Sequence, residues 1–225
     1  MAKFAVIGLG TFGTEVALDL ASHGHDVIAI DTDEGRLEAV RDVVSGAVVA
    51  NAADREILAQ LGVGEVQAAV IGLSEAYFAE AILTTLYLRE LGVEKIHVKA
   101  LNRDHGRALL KVGATHIIHP EEEVGRRLAD RLANPRVIDQ ISFPEGYSIV
   151  EVIVPADLVG KDLVEADLRR RFGITIIVIK RGFETADPAD DRVLIVPGPT
   201  ERLVEGDHIV CVGEDANVEK FKKLA

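Results

Sequence analysis

Apolar residues up to about residue 135 fall in short, nearly continuous runs that are separated by stretches of helix length. The runs that predict strands are residues 4–7, 27–30, 47–50, 68–71, 96–99 and 116–118. Runs without alternation are typical of strands buried on both faces, as in a parallel sheet covered by helices. The pattern therefore predicts an α/β fold with a doubly wound parallel sheet, whose ligand crevice lies at the carboxyl ends of its strands.

The pattern changes after Pro135. A charged helix over residues 121–133 ends at Asn134-Pro135, and residues 148–154 then alternate between polar and apolar, as in a half-exposed antiparallel strand. A helix within residues 159–171, strands at 174–179 and 209–212, a hairpin near Asp187-Pro188 and a short terminal helix follow. We therefore predict two domains, residues 1–135 and a smaller α+β domain over residues 136–225.

The first predicted strand leads into a glycine-rich turn whose residues are suited to binding a phosphate. Gly8 permits a tight turn, Gly10 lets the backbone approach a phosphate, and Gly13 lets the next helix pack close to the strand. The start of that helix offers free N–H groups and a positive dipole end to phosphates. Asp31 ends the second strand, where a carboxylate accepts hydrogen bonds from ribose hydroxyls and disfavours NADP. The motif predicts a bound adenine nucleotide; the alternative is a nucleotide-binding fold whose site has decayed.

Composition limits the classes of partner. The chain has 225 residues, 48% of them hydrophobic, and a net charge of −12. Such an acidic chain argues against nucleic acid and against an anionic membrane surface as partners. We expect a cytoplasmic protein without direct membrane insertion, because no apolar run is long enough to span a bilayer. Cys211, the single cysteine, lies in an apolar run and is interpreted as a buried thiol.

Catalytic groups are hard to find in this sequence. No Ser–His–Asp order or CxxC motif is present, and His116 and His119 need not converge on a metal. An oxidoreductase usually places an acid or base and a substrate pocket in a substantial second domain. We therefore predict a binding protein rather than an enzyme, with a small NAD-dependent oxidoreductase as the alternative.

Several separated motifs together resemble one family. They are FAVIGLGTFG (4–13), VVANAAD (48–54), VKALN (98–102), GATHIIHPEEEVG (113–125), YSIVEV (147–152), FGITIIVIKRG (172–182) and LVEGDHIVCVG (203–213). In these motifs the whole chain resembles the cytoplasmic regulatory subunits of Ktr/Trk potassium transporters, nearest to the KtrA type. The resemblance implies a Rossmann-like RCK N-lobe followed by a smaller α+β RCK C-lobe.

The same resemblance implies a function. Such subunits assemble from dimers into a ring, commonly an octamer, beneath a membrane potassium-translocating subunit. ATP, ADP or NAD(H) in the N-lobe changes the geometry of each dimer, and the ring passes that change to the pore. The same module could instead regulate another cation channel or an antiporter, because the pore belongs to a different chain.

Residue roles follow from the resemblance by position. The residues implied for nucleotide binding are Gly8, Gly10, Thr11, Phe12, Gly13, Asp31, Thr32, Asp33, Asn51, Ala52, Asp54, Lys99 and Glu121. Within this set, Lys99 is expected near phosphates, and Glu121 near a dimer interface, where it would also meet a divalent cation. Thr11 stands where close relatives often carry an arginine that reaches the γ-phosphate, which leaves the preference among ATP, ADP and NAD(H) open.

A second ligand is implied for the C-lobe. Members of this family can bind cyclic di-AMP there, and the matching residues are Arg169, Ile174, Ile176 and Pro197. The alternative interpretation is that Arg169 belongs to a charge run at a helix end and that the isoleucines are strand residues in the core.

Overall fold

The computed structural model describes residues 1–182 and 192–224. It divides into two compact units, Met1–Glu122 and Glu123–Ala225. This boundary lies near the start of the charged helix, whereas the sequence prediction placed the division after that helix, at Pro135. The hairpin predicted near Asp187-Pro188 lies outside the described residues.

The first unit contains a six-stranded parallel sheet with the strand order β3-β2-β1-β4-β5-β6. Its strands are β1 (Lys3–Ile7), β2 (Asp26–Asp31), β3 (Gly46–Val49), β4 (Ala68–Ile71), β5 (Ile96–Lys99) and β6 (His116–Ile118). Its helices are α1 (Thr11–Ser22), α2 (Glu34–Glu38), α3 (Arg55–Gln60), α4 (Phe78–Glu90) and α5 (Arg103–Val112). The order reverses between β1 and β4, which makes the sheet doubly wound and confirms the predicted fold class.

Both faces of this sheet are buried. Successive residues of β1 point to opposite faces, so Ala5 and Ile7 pack in one apolar cluster and Val6 in another. All four residues of β4 are buried for the same reason. Because helices cover the two faces, the loops at the carboxyl edge of the strands are where a ligand can approach the backbone.

The second unit contains an antiparallel sheet, which has five strands within the described residues, in the order β10-β9-β11-β8-β7. These strands are β7 (Val137–Phe143), β8 (Tyr147–Ile153), β9 (Ile174–Arg181), β10 (Arg192–Ile195) and β11 (His208–Glu214). The helices are α6 (Pro120–Ala133), which begins before the boundary, α7 (Leu163–Ala166), α8 (Leu168–Phe172) and α9 (Asp215–Lys222). The smaller α+β unit predicted from sequence is thus confirmed.

Burial in the second unit follows the strand alternation. Val150 and Val152 of β8 and Ile209 and Cys211 of β11 share one core with Phe221 of α9. Cys211 is fully buried, which confirms its interpretation as a buried thiol, and burial raises the pKa of that thiol. No helix within residues 1–182 and 192–224 is long and apolar enough to cross a membrane.

Helix α6 differs from the other long helices because none of its residues is buried. Its apolar side chains Val124, Leu128 and Leu132 recur every fourth position, and their exposed fractions are 64%, 54% and 72%. Residues at this spacing lie on one face of a helix. α6 therefore carries an apolar stripe that no described part of the chain covers.

Candidate functional site

Two glycines of the turn after β1 are required by the packing of the chain itself. Gly8 adopts a φ of +86°, in the left-handed region that side chains rarely occupy, and its N–H donates to the Ile30 carbonyl at 2.9 Å. A Cβ on Gly13 would lie 2.0 Å from the Gly8 carbonyl oxygen. These two positions therefore allow the chain to turn and α1 to start directly against β1.

Gly10 is different, because its surroundings are open. A Cβ on Gly10 would meet no atom within 4 Å among the described residues, so packing does not demand a glycine there. Gly10 is also the residue before the first turn of α1, and its position provides no side chain to cap that helix. Thr11 is exposed beside it, while Phe12 packs against the apolar cluster below α1. The start of α1 thus presents backbone N–H groups beside open space, as a phosphate requires.

Asp31 connects the turn to the tip of β2. Asp31 is 6% exposed, and its Oδ2 accepts a hydrogen bond of 2.6 Å from the Leu9 backbone N–H. Its Oδ1 accepts a second bond, of 2.9 Å, from the Asp33 N–H. A carboxylate that accepts backbone N–H bonds is held in a fixed orientation. The acid identified from sequence spacing therefore lies directly against the glycine-rich turn.

A cation that the sequence analysis did not identify lies beside these acids. Arg36, in α2, places Nη1 3.6 Å from Asp31 Oδ2 and Nε 3.6 Å from Asp33 Oδ2. Asp33 also caps α2, because its Oδ1 accepts the Gly35 N–H at 2.9 Å. Thr32, between the two acids, is exposed. The signal in the sequence was the separation of three residues between Asp33 and Arg36, which brings side chains together on a helix.

The loop after β3 lies next to Asp31 through the backbone, since the Ala50 N–H donates to the Asp31 carbonyl at 3.0 Å. Asn51 Oδ1 accepts the Ala53 N–H, and Asp54 Oδ1 caps α3 by accepting the N–H groups of Glu56 and Ile57. Ala52 is buried in the main core. The exposed side chains of this segment are therefore those of Asn51 and Asp54, while Ala52 shapes the loop from inside.

Lys99 and Glu121 form an ion pair at the ends of two neighbouring strands. Lys99, the last residue of β5, places Nζ 2.6 Å from Oε1 of Glu121, which lies in the first turn of α6. The lysine side chain is 21% exposed and the glutamate side chain 63%. The hydrogen bond from Lys99 lowers the pKa of Glu121 below that of an ordinary glutamate. Glu121 therefore stays ionised throughout the neutral range.

No group of three or more metal-ligating side chains is found in the parts of the chain that the structure describes. The two histidines that sequence singled out make separate contacts. His116 stacks on His97 with ring centroids 4.4 Å apart, whereas His119 Nδ1 lies 2.8 Å from the Ala100 carbonyl oxygen. Glu121, the candidate metal ligand, is bound to Lys99 instead.

The residues implied for cyclic di-AMP lie in the second unit with unequal exposure. Arg169 is exposed in the last turn of α8, and Ile176 and Pro197 are half-buried. Ile174 is fully buried in the core of this unit. The expectation that Ile174 offers apolar surface to a base is therefore corrected, because its side chain is occupied by packing around β9.

The strand order, the glycine turn and the acid after β2 define the first unit as a doubly wound domain of the Rossmann type, joined to a smaller α+β unit. Residues 4–120 match the model of the TrkA-N domain, and residues 148–225 match that of the TrkA-C domain. The chain belongs to the family of proteins that these two domains define. The resemblance to regulatory subunits of Ktr/Trk systems is thereby confirmed.

Named relatives agree with this assignment over nearly the whole chain. The chain is 36% identical to Ktr system potassium uptake protein C of Bacillus subtilis, over 98% of this chain and 96% of the relative. It is 35% identical to Ktr system potassium uptake protein A of Vibrio alginolyticus, over 99% of this chain and 97% of the relative.

Solved structures support the fold. The GsuK RCK domain aligns over 99% of this chain with a TM-score of 0.51 and 23% identity. The GsuK channel bound to NAD aligns over 100% of this chain with a TM-score of 0.53 and 22% identity. The chain spans 46% and 38% of the lengths of those two chains.

Proposed function

We propose that this protein is a cytoplasmic regulatory subunit of a potassium-uptake system, and that it responds to an adenine nucleotide bound at the carboxyl edge of the parallel sheet. The observation that carries the nucleotide site is the open, uncapped start of α1 beside Gly10, with Asp31 already bonded to the adjoining turn. The similarity to Ktr potassium uptake proteins along nearly the whole chain supports the physiological role.

The proposed ligand is ATP, ADP or NAD(H). The N–H groups at the start of α1 would hold the phosphates, and Asp31 the ribose hydroxyls. Asp33 and Thr32 would lie beside the ribose, and Asn51, Ala52 and Asp54 would border the adenine. The NAD-bound channel among the fold neighbours supports a dinucleotide. Thr11 offers a hydroxyl but no charge, so Lys99 is the cation that we assign to the phosphates.

In this proposal the ligand acts by binding and not by reaction. A nucleotide shifts an equilibrium between two states of an assembly only by the difference between its affinities for them. The Lys99–Glu121 pair joins the crevice to the first turn of α6, so a phosphate that attracts Lys99 releases Glu121. A freed Glu121 would be available to a divalent cation. A small NAD-dependent oxidoreductase remains the second candidate function.

Assembly and partner complete the proposal. We assign the exposed stripe of Val124, Leu128 and Leu132 to contacts within a homo-oligomer of dimers, up to an octameric ring, because apolar stripes on a helix normally mark interfaces. The partner is a membrane potassium-translocating subunit. The net charge of −12 favours such a protein partner over nucleic acid or an acidic lipid surface.

The first test is an equilibrium titration of the purified protein with ATP, ADP, NADH, NADPH and cyclic di-AMP, with light scattering on the same samples. We expect adenine nucleotides to bind to an oligomer larger than a dimer, without turnover. Binding of cyclic di-AMP would support the second ligand site that we propose in the C-lobe at Arg169, Ile176 and Pro197. A monomer that binds only NADH and oxidises it with a carbonyl substrate would favour the oxidoreductase instead.

A second prediction concerns Lys99. Lys99→Gln should weaken ATP binding about ten-fold, because a charge-assisted hydrogen bond to phosphate is worth roughly 1.5–3 kcal/mol. Glu121→Gln should do the opposite in the absence of divalent cations and strengthen ATP binding a few-fold, since it frees Lys99. Calorimetric titration of both variants with ATP measures the two effects.

The matched control is Arg103→Gln, because Arg103 forms a more exposed ion pair with Glu122 one residue further along α6. This substitution should leave ATP affinity unchanged. Equal losses of ATP affinity in the Lys99 and Glu121 variants would mean that the pair only supports the local structure, and would contradict the exchange of partners.

A further inference from the structure

Both chemical devices that doubly wound folds use to select the adenosine ribose are present in this chain. An acid after β2 binds ribose hydroxyls, whereas a nearby arginine accommodates a 2′-phosphate. Here Asp31 provides the acid, and Arg36 lies 3.6 Å from it on the first helix after the strand. Because this chain carries both the acid and the arginine, the contacts of the arginine decide whether it can bind a 2′-phosphate as in NADP-binding chains.

We propose that Arg36 is the residue that decides between a ribose 2′-hydroxyl and a 2′-phosphate, and that Asp33 keeps it from accepting the phosphate. The inference rests on the proposed nucleotide site and assigns its ligand class, the adenine nucleotides without a 2′-phosphate. Arg36 is in this view a latent phosphate ligand.

Asp31 and Asp33 differ in how rigidly their carboxylates are held beside Arg36. Asp31 is 6% exposed and fixed by the N–H groups of Leu9 and Asp33, so its carboxylate cannot move away. The Asp33 side chain is 58% exposed, and only its Oδ2 faces Arg36, while its Oδ1 caps α2. Exposed ion pairs of this kind are weak and exchangeable. Asp33 is therefore the partner whose charge can be removed while the surrounding structure stays in place.

The net charge of Asp31, Asp33 and Arg36 explains why a 2′-phosphate is excluded from the site. Two carboxylates and one guanidinium leave one negative charge at the ribose end, which repels a phosphate. Replacing Asp33 with asparagine keeps an oxygen to cap α2, brings the local charge to zero, and frees the Nε edge of Arg36. The freed guanidinium can then make the paired hydrogen bonds that arginine forms with phosphate oxygens.

The test is a fluorescence titration with NADH and NADPH of the full chain, of Asp33→Asn, of Arg36→Gln and of the double variant. We expect the unmodified protein to prefer NADH. Asp33→Asn should bind NADPH about five-fold more tightly than the unmodified protein, as expected when one weak exposed pair is removed. The double variant should lose this gain.

The control is Arg41→Gln, because Arg41 is 50% exposed, close to the 51% of Arg36, and pairs with Glu34 in the same region. It should leave the ratio of NADH to NADPH affinity unchanged. A gain that persists in the double variant, or no gain in Asp33→Asn, would overturn the role of Arg36 while leaving the nucleotide site intact. Failure of the unmodified protein to bind NADH, ATP or ADP would instead overturn the proposed function, and this inference with it.

Discussion

Gly13→Ala should destabilise the first unit by about 3 kcal/mol or more and abolish nucleotide binding. A methyl group at this position would lie 2.0 Å from the Gly8 carbonyl oxygen, a distance that no side-chain rotation relieves because both atoms belong to backbone-fixed positions. Overpacking of ordinary core positions already costs about 1–3 kcal/mol. Differential scanning calorimetry is the appropriate measurement, since it resolves separate transitions if the two units unfold independently.

Gly10→Ala is the matched control for this prediction. The added methyl would meet no described atom within 4 Å, and the φ of Gly10 is −69°, which alanine adopts readily. We expect a change in unfolding free energy below about 1 kcal/mol together with a loss of nucleotide affinity of about ten-fold or more, if phosphates approach this backbone. Equal destabilisation by the two variants would contradict the distinction between a packing glycine and a ligand glycine.

Asp31→Ala should cost about 2–3 kcal/mol of stability and reduce NADH or ADP affinity at least about 100-fold. The stability loss follows because the substitution removes the acceptor of the Leu9 N–H, and Leu9 is only 3% exposed, so a buried donor stays unpaired. The loss of affinity has two causes: the hydrogen bonds to the ribose are missing, and the phosphate-binding turn is disturbed. Thermal unfolding and calorimetric titration of the same preparation measure the two quantities.

Asp31→Asn provides the graded comparison. Its amide oxygen can still accept one of the two backbone N–H bonds, so its loss of stability should be the smaller of the two. Wild-type affinity for NADH in Asp31→Ala would refute the assignment of this acid to the ribose, whatever the change in stability.

The inner strands of the parallel sheet could be predicted because residues on both of their faces are buried, so that each forms an apolar run in the sequence. The edge strands of the second unit were not predicted from the sequence. In β7 only Val137 is buried, and β10 has no buried residue. The side chains of both strands lie largely at the surface, and the hydrogen bonds that pair an edge strand with its neighbour are not recorded by residue patterns.

The helix predicted within residues 159–171 is divided for a local reason. Asp167 adopts a φ of 42° and a ψ of 43°, the left-handed conformation that aspartate tolerates better than most residues, and it separates α7 from α8. Helical spacing of apolar residues continues across this break, so periodicity alone could not locate it.

The residues of the site also differ in whether local spacing or tertiary contacts determine their roles. Gly8, Gly13 and Asp31 could be identified because their roles depend on backbone geometry at fixed spacing. The contact of Arg36 with Asp33 had a local signal in their spacing, but its contact with Asp31 depends on the direction of a long side chain. The Lys99–Glu121 pair depends on β5 and β6 being neighbours. Such contacts follow from tertiary structure and side-chain direction, which the spacing of residue types along the chain does not reveal.

The bond from the Leu9 N–H to Asp31 has one more consequence, for conformational entropy. Fixing the backbone of one residue costs roughly 1–2 kcal/mol at room temperature. The turn from Gly8 to Gly10 is ordered by this bond as part of folding, so a nucleotide would not have to supply that free energy when it binds. More of its interaction energy would then remain available for distinguishing one state of an assembly from another, which is the quantity that regulation by a ligand requires.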